Sequence, residues 1–224
     1  MCGRFTLTAP IDQIQMRFDI EQFIDEDLYS PNYNVAPSQS VLAVINDGTN
    51  NRLGYLRWGL IPPWANDPKI GYNMINARAE TLAEKPSYRH AFKKRRCLIL
   101  ADSFYEWKRH DDNTKTPMRI KLKSDDLFAM AGIWETWNSP DGNRINSCTV
   151  ITTKPNELVK AIHDRMPVIL KQKDEQVWLD KSITDTDLLH NLLKPYDANS
   201  MEAYEVSSLV NSPKNNSVDL IQKI

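Results

Sequence analysis

Residues 118–153 read MRIKLKSDDLFAMAGIWETWNSPDGNRINSCTVITT, and this stretch decides the fold. It contains three runs rich in aliphatic, aromatic and β-branched residues, at positions 118–122, 127–134 and 148–153. Polar turn residues separate the runs, as in Ser-Pro-Asp-Gly at 139–142. Short apolar runs bounded by such residues are typical of β-strands joined by turns. The stretch therefore predicts a β-meander.

Further strands and several helices are predicted on either side of the meander. Segments 41–45 and 53–58 flank the turn Asn46-Asp47-Gly48 and predict a hairpin. Residues 58–70 contain three prolines and no consistent period, which predicts a long ordered loop. Other strands are predicted at 97–100, 104–108 and 168–170. Helices are predicted at 11–18 after a Thr8 cap, from either 78 or 86 towards 93, and at 155–162, 174–179 and 185–193. Without repeats or linkers, this order predicts a single β-rich α+β domain over residues 1–224, with a twisted, barrel-like sheet and peripheral helices.

The composition excludes several classes of protein. Hydrophobic residues make up 41% and charged residues 25%, as in soluble globular proteins, which argues against disordered and fibrous classes. The first residues lack the pattern of a secretory signal, and no apolar stretch is long enough to cross a bilayer, so a cytoplasmic location without membrane association is expected. Three cysteines at unrelated spacings predict neither structural disulfides nor zinc, and we expect no metal and no cofactor.

The charge is unevenly distributed although the net charge is only −1. Residues 85–123 carry twelve Lys or Arg against four Asp or Glu. Such a segment either forms a face that follows the phosphates of a nucleic acid or is a solvated run offset by acidic residues elsewhere, such as those at 25–27. Charge alone leaves both readings open.

Cys2 is the most unusual position for chemistry. Removal of Met1 leaves one residue with both a free α-amine and a thiol. An α-amine has a pKa of about 7.8, against about 10.4 for lysine, so a useful fraction of it is neutral and forms Schiff bases at pH 7. The neighbouring thiol can then close a five-membered thiazolidine ring. Alternatively, Cys2 is an N-terminal nucleophile for amide hydrolysis, or an incidental cysteine in a frayed terminus.

Other polar residues suit the same kind of chemistry. Asn76 is suited to orient an amine or a sugar hydroxyl, unless it only caps a helix. On a strand at 104–108, alternation places Glu106 on the same side as Phe104, where burial raises a carboxyl pKa, unless the strand lies at an exposed edge. His163 follows a predicted helix and is suited to shuttle protons, unless it only packs at the helix end.

Six ordered segments together resemble one known family. They are MCGRF at 1–5, YNVAP at 33–37, WGLIPPW at 58–64, NARAET at 76–81, FYEW at 104–107 and HDRMP at 163–167. In this order and at these spacings they resemble the SOS response associated peptidase (SRAP) family over about residues 1–180. Residues after about 180 carry no matching motif, and we expect them to pack on the same domain.

The resemblance implies a site made of Cys2, Asn76, Glu106 and His163. It implies that Cys2, after loss of Met1, forms a thiazolidine crosslink with the ring-opened aldehyde of an abasic deoxyribose. Glu106 would then move protons, Asn76 would orient the terminal residue and His163 would help open the sugar ring. The resemblance also places five residues along a positively charged path for single-stranded DNA: Arg4, Trp58, Trp64, Arg78 and Arg165.

The implied function is a sensor that shields abasic sites in single-stranded DNA during the response to DNA damage. We expect a monomer that associates with the nucleoid when bound to DNA, and a wedge at residues 61–63 that excludes duplex. Three alternatives remain open at this point: a peptidase whose minimal activity is removal of Met1, a DNA lyase activity at the Schiff base, and a non-catalytic single-strand binding module.

Overall fold

The computed structural model describes residues 2–20 and 29–224. Met1, whose removal the sequence predicts, and the acidic residues at 25–27 lie outside the described residues. Within the described part, the chain forms twelve strands, five α-helices and several short 3₁₀ turns. None of the helices there is long and apolar enough to cross a membrane. The predicted β-rich α+β fold with a barrel-like sheet and peripheral helices is confirmed.

The first sheet contains the N-terminal strand and has five strands in the order β12-β8-β7-β1-β2. All of its pairs are antiparallel. β1 lies between β2 and β7, with Phe5 opposite both Val35 and Phe104. The strands are β1 (Phe5–Leu7), β2 (Asn32–Val35), β7 (Ser103–Arg109), β8 (Lys115–Leu122) and β12 (Met201–Glu205). Residues just before β1 therefore lie beside β7.

The second sheet carries the predicted hairpin and the runs at 127–134 and 148–153 of the predicted meander. The meander is wrong for its first run, because 118–122 belongs to β8 of the first sheet, which pairs with β7 and β12. Its order is β11-β10-β4-β3-β6-β9, with β9 also paired to β10 and β5 also paired to β10. The strands are β3 (Ser40–Asn46), β4 (Asn51–Trp58), β5 (Asn76–Arg78), β6 (Arg96–Ala101), β9 (Phe128–Asn138), β10 (Arg144–Thr153) and β11 (Met166–Pro167). The hairpin β3–β4 and the pair β9–β10 are antiparallel, as expected for strands joined by short turns. β5 instead runs parallel to β10.

The helices lie at the periphery; four are shorter than predicted, and the one predicted at 174–179 begins two residues earlier. They are α1 (Ile11–Arg17), α2 (Arg89–Lys94), α3 (Glu157–Lys160), α4 (Gln172–Leu179) and α5 (Thr186–Asn191). The predicted Thr8 cap is wrong: Pro10 occupies the N-cap position, and the Thr8 hydroxyl donates to Asp102 at 2.7 Å. α3 begins only after Asn156 because the Asn156 side chain accepts the backbone N–H of Val159.

One predicted strand is displaced. The strand expected at 168–170 is β11, two residues earlier, and Ile169 forms only an isolated bridge with Met130. The loop predicted at 58–70 is confirmed as far as residue 67. Its last predicted residues belong to a 3₁₀ turn at Pro68–Asn73.

Three apolar clusters form the core, and side-chain alternation distributes each strand between them. On β3, Val41 and Ala43 enter a cluster between the two sheets, together with Cys2. Leu42 and Val44 enter a second cluster, between the second sheet and the helices. Both faces of the second sheet are therefore buried, which explains its nearly continuous apolar runs.

The third cluster joins the C-terminal residues to the outer face of the first sheet. Val210 and Leu220 pack with Tyr105, whose hydroxyl donates to the carbonyl of Tyr33 at 2.9 Å and to that of Leu220 at 3.4 Å. Tyr204 and Arg119 both donate to the carbonyl of Ile221. The segment without a matched motif thus covers β7 and β8.

Candidate active site

Cys2 lies at the entrance to β1, with its side chain buried in the cluster between the two sheets. The Arg4 carbonyl accepts the backbone N–H of Tyr105 at 2.9 Å, which keeps the N-terminal residues beside β7. Burial raises the pKa of the Cys2 thiol well above its usual range, and the charge of Glu106 adds to the shift. The thiol is therefore neutral at physiological pH.

Asn76 holds the backbone of Cys2. Its Nδ2 donates to the carbonyl oxygen of Cys2 at 2.8 Å. The register of β5 on β10, with Asn76 opposite Val150, places the amide there. Its Oδ1 is buried without a hydrogen-bond partner among the described residues. One end of the amide is thus engaged by residue 2, and the other can accept a donor.

Glu106 points inwards from β7, as strand alternation predicts. Its side chain is buried, and Phe104, two residues earlier, belongs to the same cluster as Cys2. Burial raises the pKa of Glu106 to about 7, and the charge of Asp164 acts in the same direction. A carboxyl group with this pKa can both accept and donate a proton near neutrality.

His163 follows α3, as predicted, and its backbone N–H bonds to the carbonyl of Val159. Its Nε2 lies 3.9 Å from Oε2 of Glu106. Its Nδ1 accepts the backbone N–H of Arg165 at 3.1 Å and lies 2.9 Å from the exposed carboxylate of Asp164. Burial lowers the pKa of His163, so the imidazole is neutral at pH 7. Glu106, whose charge acts on the Cys2 thiol, thus faces His163.

A cleft of about 1080 Å³ opens at His163. Trp107 forms part of its wall, and Glu157 and Asp164 are its acidic residues. Five cations line it: Arg78, Arg109, Lys154, Lys160 and Arg165. The excess of positive charge fits a phosphodiester chain. Two of the five, Arg78 and Arg165, are predicted from sequence, and Arg109 belongs to the basic run at 85–123, whereas nothing in the sequence singles out Lys154 or Lys160.

The predicted DNA-binding arginines differ in whether their guanidinium groups are already bonded within the protein. Arg78 is exposed at the cleft. Arg165 forms a two-bond ion pair with Glu80, at 2.7 and 2.9 Å, and donates to the carbonyl of Thr152. Arg4 donates to the side chain of Asn34 and to the carbonyls of Val210 and Asn211. These contacts give Arg4 and Arg165 structural roles that the sequence does not reveal.

The two predicted tryptophans lie in opposite environments. Trp64 is 59% exposed and is free to stack on a base. The expectation that Trp58 also stacks on DNA is wrong, because its ring is 1% exposed, packs on Phe5 and donates to the carbonyl of Ile75. The predicted wedge at 61–63 also needs correction, since Ile61 and Pro62 are buried and only Pro63 is exposed.

Comparisons with known proteins agree over nearly the whole chain. The family model for SOS response associated peptidases (SRAP) matches residues 1–213, which extends beyond the motifs at 1–180. The chain is 66% identical over 222 residues to the abasic site processing protein YoqW of Bacillus subtilis (strain 168), covering 99% of both chains. It is 34% identical over 267 residues to the abasic site processing protein HMCES of Xenopus tropicalis, covering 100% of this chain and 78% of the relative. A crystal structure of a protein from Bacteroides thetaiotaomicron matches with a TM-score of 0.87 at 29% identity and covers both chains completely.

Proposed function

Since the chain belongs to the SOS response associated peptidase (SRAP) family, we propose that it captures abasic sites in single-stranded DNA through a covalent bond to Cys2. Its relatives in Bacillus subtilis and Xenopus tropicalis are named abasic site processing proteins. The observation that carries the proposal is the hydrogen bond from Asn76 to the carbonyl of Cys2, at 2.8 Å. Glu106, whose charge acts on the Cys2 thiol, forms a pair with His163. These contacts support a role for Glu106 and His163 in proton transfer to and from the residue that bears the amine and the thiol.

The proposed reaction starts with opening of the sugar. A closed abasic deoxyribose is a hemiacetal, and its ring opens when the proton of the C1′ hydroxyl moves to the ring oxygen. Neutral His163 is suited to accept that proton and to return it to the ring oxygen as the C–O bond breaks. The product is an aldehyde at C1′ and a free hydroxyl at C4′.

Capture then proceeds through an imine. The neutral α-amine of mature Cys2 bonds to the aldehyde carbon and gives a carbinolamine. Glu106, with a pKa near 7, accepts the extra proton of the nitrogen and donates one to the hydroxyl, which leaves as water. The sulfur finally bonds to the imine carbon while the thiol proton moves to the nitrogen. The net change is one thiazolidine ring formed and one water released.

The neutral thiol favours this order of events. Burial raises the pKa of the Cys2 thiol, so a thiolate that attacks a peptide bond first is disfavoured. The α-amine reacts first, and the thiol acts on an imine carbon that is already electrophilic. Because the thiol belongs to the same residue, ring closure competes with β-elimination. We therefore favour crosslinking over lyase activity and over peptidase activity towards other proteins, and treat removal of Met1 as maturation.

The cleft supports the choice of partner. Its cations suit the phosphates on either side of the lesion, and exposed Trp64 suits stacking on an unpaired base. A flipped-out or single-stranded sugar can reach the α-amine, whereas a sugar inside a stacked duplex cannot. Single-stranded DNA is therefore the proposed substrate.

The proposal is tested by mixing the purified protein with a single-stranded oligonucleotide from which uracil has been excised. We expect a covalent adduct that survives denaturing electrophoresis, and none with an intact oligonucleotide. A Cys2→Ala variant removes the thiol, and a form that retains Met1 blocks the amine, so neither should give a stable adduct. Equal adduct yields from wild-type protein and both variants would rule out Cys2 as the capturing residue.

A further inference from the structure

Asn34, in the YNVAP segment, has no role in the chemistry described above. It lies on β2 and is 1% exposed. A buried amide is stable only when its donors and acceptor find partners, so its partners indicate what it holds. Asn34 is fully engaged, and every side-chain partner belongs to one of two segments.

The acceptor of Asn34 binds the N-terminal segment, and its donors bind the C-terminal one. Oδ1 accepts from Nη1 of Arg4 at 2.7 Å. Nδ2 lies within hydrogen-bond distance of three carbonyl oxygens, those of Val210 (3.3 Å), Ser212 (2.9 Å) and Asn215 (2.9 Å). We refer to residues 207–216, which contain these carbonyls, as the C-terminal strap.

Arg4 reaches the same strap directly. Its Nη1 donates to the carbonyl of Val210 at 2.6 Å, and its Nη2 to that of Asn211 at 3.2 Å. Asn34, Arg4 and the strap therefore form one closed hydrogen-bond network. Arg4 is separated from Cys2 by Gly3 alone, so the network ends two residues from the proposed nucleophile.

The strap also contacts the other side of the site. Oδ1 of Asn211 accepts from Nε1 of Trp107 at 2.7 Å. Trp107 follows Glu106 on β7 and forms part of the cleft wall. The guanidinium of Arg4 lies 6.0 Å from the centroid of the Trp107 ring. The strap thus links the segment that carries Cys2 to the strand that carries Glu106.

From these contacts we infer that Asn34 is a positioning residue, which fixes Cys2 relative to Glu106 by tying Arg4 to the C-terminal strap. Chain ends fray unless they are held, and Gly3 adds backbone freedom. Asn76 fixes the carbonyl of Cys2 and Tyr105 fixes the backbone of Arg4, and the Asn34 network adds a further fixed point by holding the side chain of Arg4. The inference rests on the proposed function, because positioning matters only if the α-amine of Cys2 must meet an aldehyde.

The test compares crosslinking by the wild-type protein with crosslinking by three variants. Two of them alter the network, and the third is a control. Asn34→Ala removes every contact of the amide. Asn211→Ala alters an exposed side chain and cuts only the link to Trp107. Asn51→Ala is the matched control, because Asn51 is also a buried asparagine whose side chain bonds to a backbone carbonyl, that of Phe18, away from Cys2.

Four quantities are measured: loss of Met1 by intact mass, the thermal midpoint, and the maximum rate and half-saturating DNA concentration for crosslinking to a uracil-excised oligonucleotide. We expect Asn34→Ala to lower the maximum rate about 10- to 100-fold, since small displacements of a reacting group have effects of this size. The half-saturating concentration should change less than about twofold, since the cleft cations are untouched. Asn211→Ala should lower the maximum rate by a smaller factor, and Asn51→Ala should match wild type.

A fourth variant separates the two halves of the network. Asn34→Asp keeps an acceptor for Arg4 but cannot donate to the strap carbonyls, so we expect the same loss of rate as for Asn34→Ala. Equal maximum rates for Asn34→Ala, Asn211→Ala and Asn51→Ala would overturn the inference. So would a change confined to the half-saturating concentration, which would assign the strap to DNA binding. If the wild-type protein itself forms no adduct, the proposed function fails instead.

Discussion

Nε2 of His163 lies 3.9 Å from Oε2 of Glu106, and burial shifts the pKa values of the two groups in opposite directions. The pKa of Glu106 rises to about 7, while that of His163 falls below its usual value. General acid–base catalysis is most efficient when the pKa of the catalytic group lies near the working pH, as that of Glu106 does. Two residues from distant parts of the sequence thus face each other, and we propose that they transfer protons during capture.

Replacing Glu106 by glutamine should slow crosslinking without preventing folding. The amide has the same shape but cannot accept a proton from the α-amine or donate one to the carbinolamine. General acid–base catalysis contributes roughly 10²- to 10⁴-fold, so we expect the Glu106→Gln rate to fall by about 100-fold or more. Single-turnover kinetics measure this. Glu175→Gln is the control, since Glu175 is also a buried glutamate but pairs with Arg17; equal losses in both variants would contradict the assigned role.

The same substitution should change how stability depends on pH. The pKa of Glu106 is about 7 in the folded protein against 4.5 as the ordinary value, so the folded state binds the proton more tightly. The stability from this group is complete below about pH 4.5 and is lost as the pH rises through about 7. Above pH 8 the loss amounts to up to about 3 kcal/mol, and Glu106→Gln should avoid it.

Urea unfolding of wild type and Glu106→Gln at pH 5 and pH 8 measures that difference. Other titrating groups are common to both proteins, so their contributions cancel in the comparison. The stability of Glu106→Gln relative to wild type should increase from pH 5 to pH 8. A difference that stays constant or decreases would show that Glu106 is not held with a raised pKa.

Replacing His163 by glutamine should slow capture of the natural lesion by about 10- to 100-fold, since the ring-opening proton transfer is lost. An oligonucleotide that carries a permanently open-chain aldehyde needs no ring opening. We therefore expect His163→Gln to capture that substrate at nearly the wild-type rate. An equal defect with both substrates would assign His163 to the imine steps instead of ring opening.

The two tryptophans of the WGLIPPW segment should give opposite phenotypes. Trp64 is exposed, so Trp64→Ala should leave the unfolding free energy unchanged and raise the half-saturating DNA concentration about 10-fold through lost stacking. Trp58 is buried, so Trp58→Ala should destabilise the protein by about 3–5 kcal/mol. Chemical denaturation and crosslinking titrations distinguish these effects. Weaker DNA capture by a fully stable Trp58→Ala protein would contradict the structure.

The positions of most strands and the faces of their side chains can be predicted, because alternation and turn residues are local signals in the sequence. Leu42 and Ala43 face different clusters as alternation requires, and the hairpin and the β9–β10 pair lie where the turns indicate. The order of strands and the parallel pairing of β5 with β10 are not encoded locally. The position of Asn76 against Cys2 depends on that pairing and could not be derived from spacing.

The family resemblance names the candidate site residues, whereas the environments of their side chains cannot be predicted from the sequence. The inward orientation of Glu106 follows from its strand, but the burial of Trp58 depends on Phe5 from the N-terminal segment. The family resemblance places Arg4 along the DNA path, but its guanidinium donates to the carbonyls of Val210 and Asn211, from the other end of the chain. Contacts between such distant segments leave no periodic or spacing signal.

The most direct test of Cys2 as the capturing residue is mass spectrometry of the crosslinked N-terminal peptide after nuclease and trypsin digestion. Cleavage after Arg4 releases a peptide of Cys2, Gly3 and Arg4. We predict that this peptide lacks Met1, carries the deoxyribose remnant with the loss of one water, and has a sulfur that resists alkylation because it is part of a thiazolidine. A remnant attached to a lysine, an adduct that retains Met1, or a freely alkylated Cys2 in the adduct would contradict the proposed mechanism.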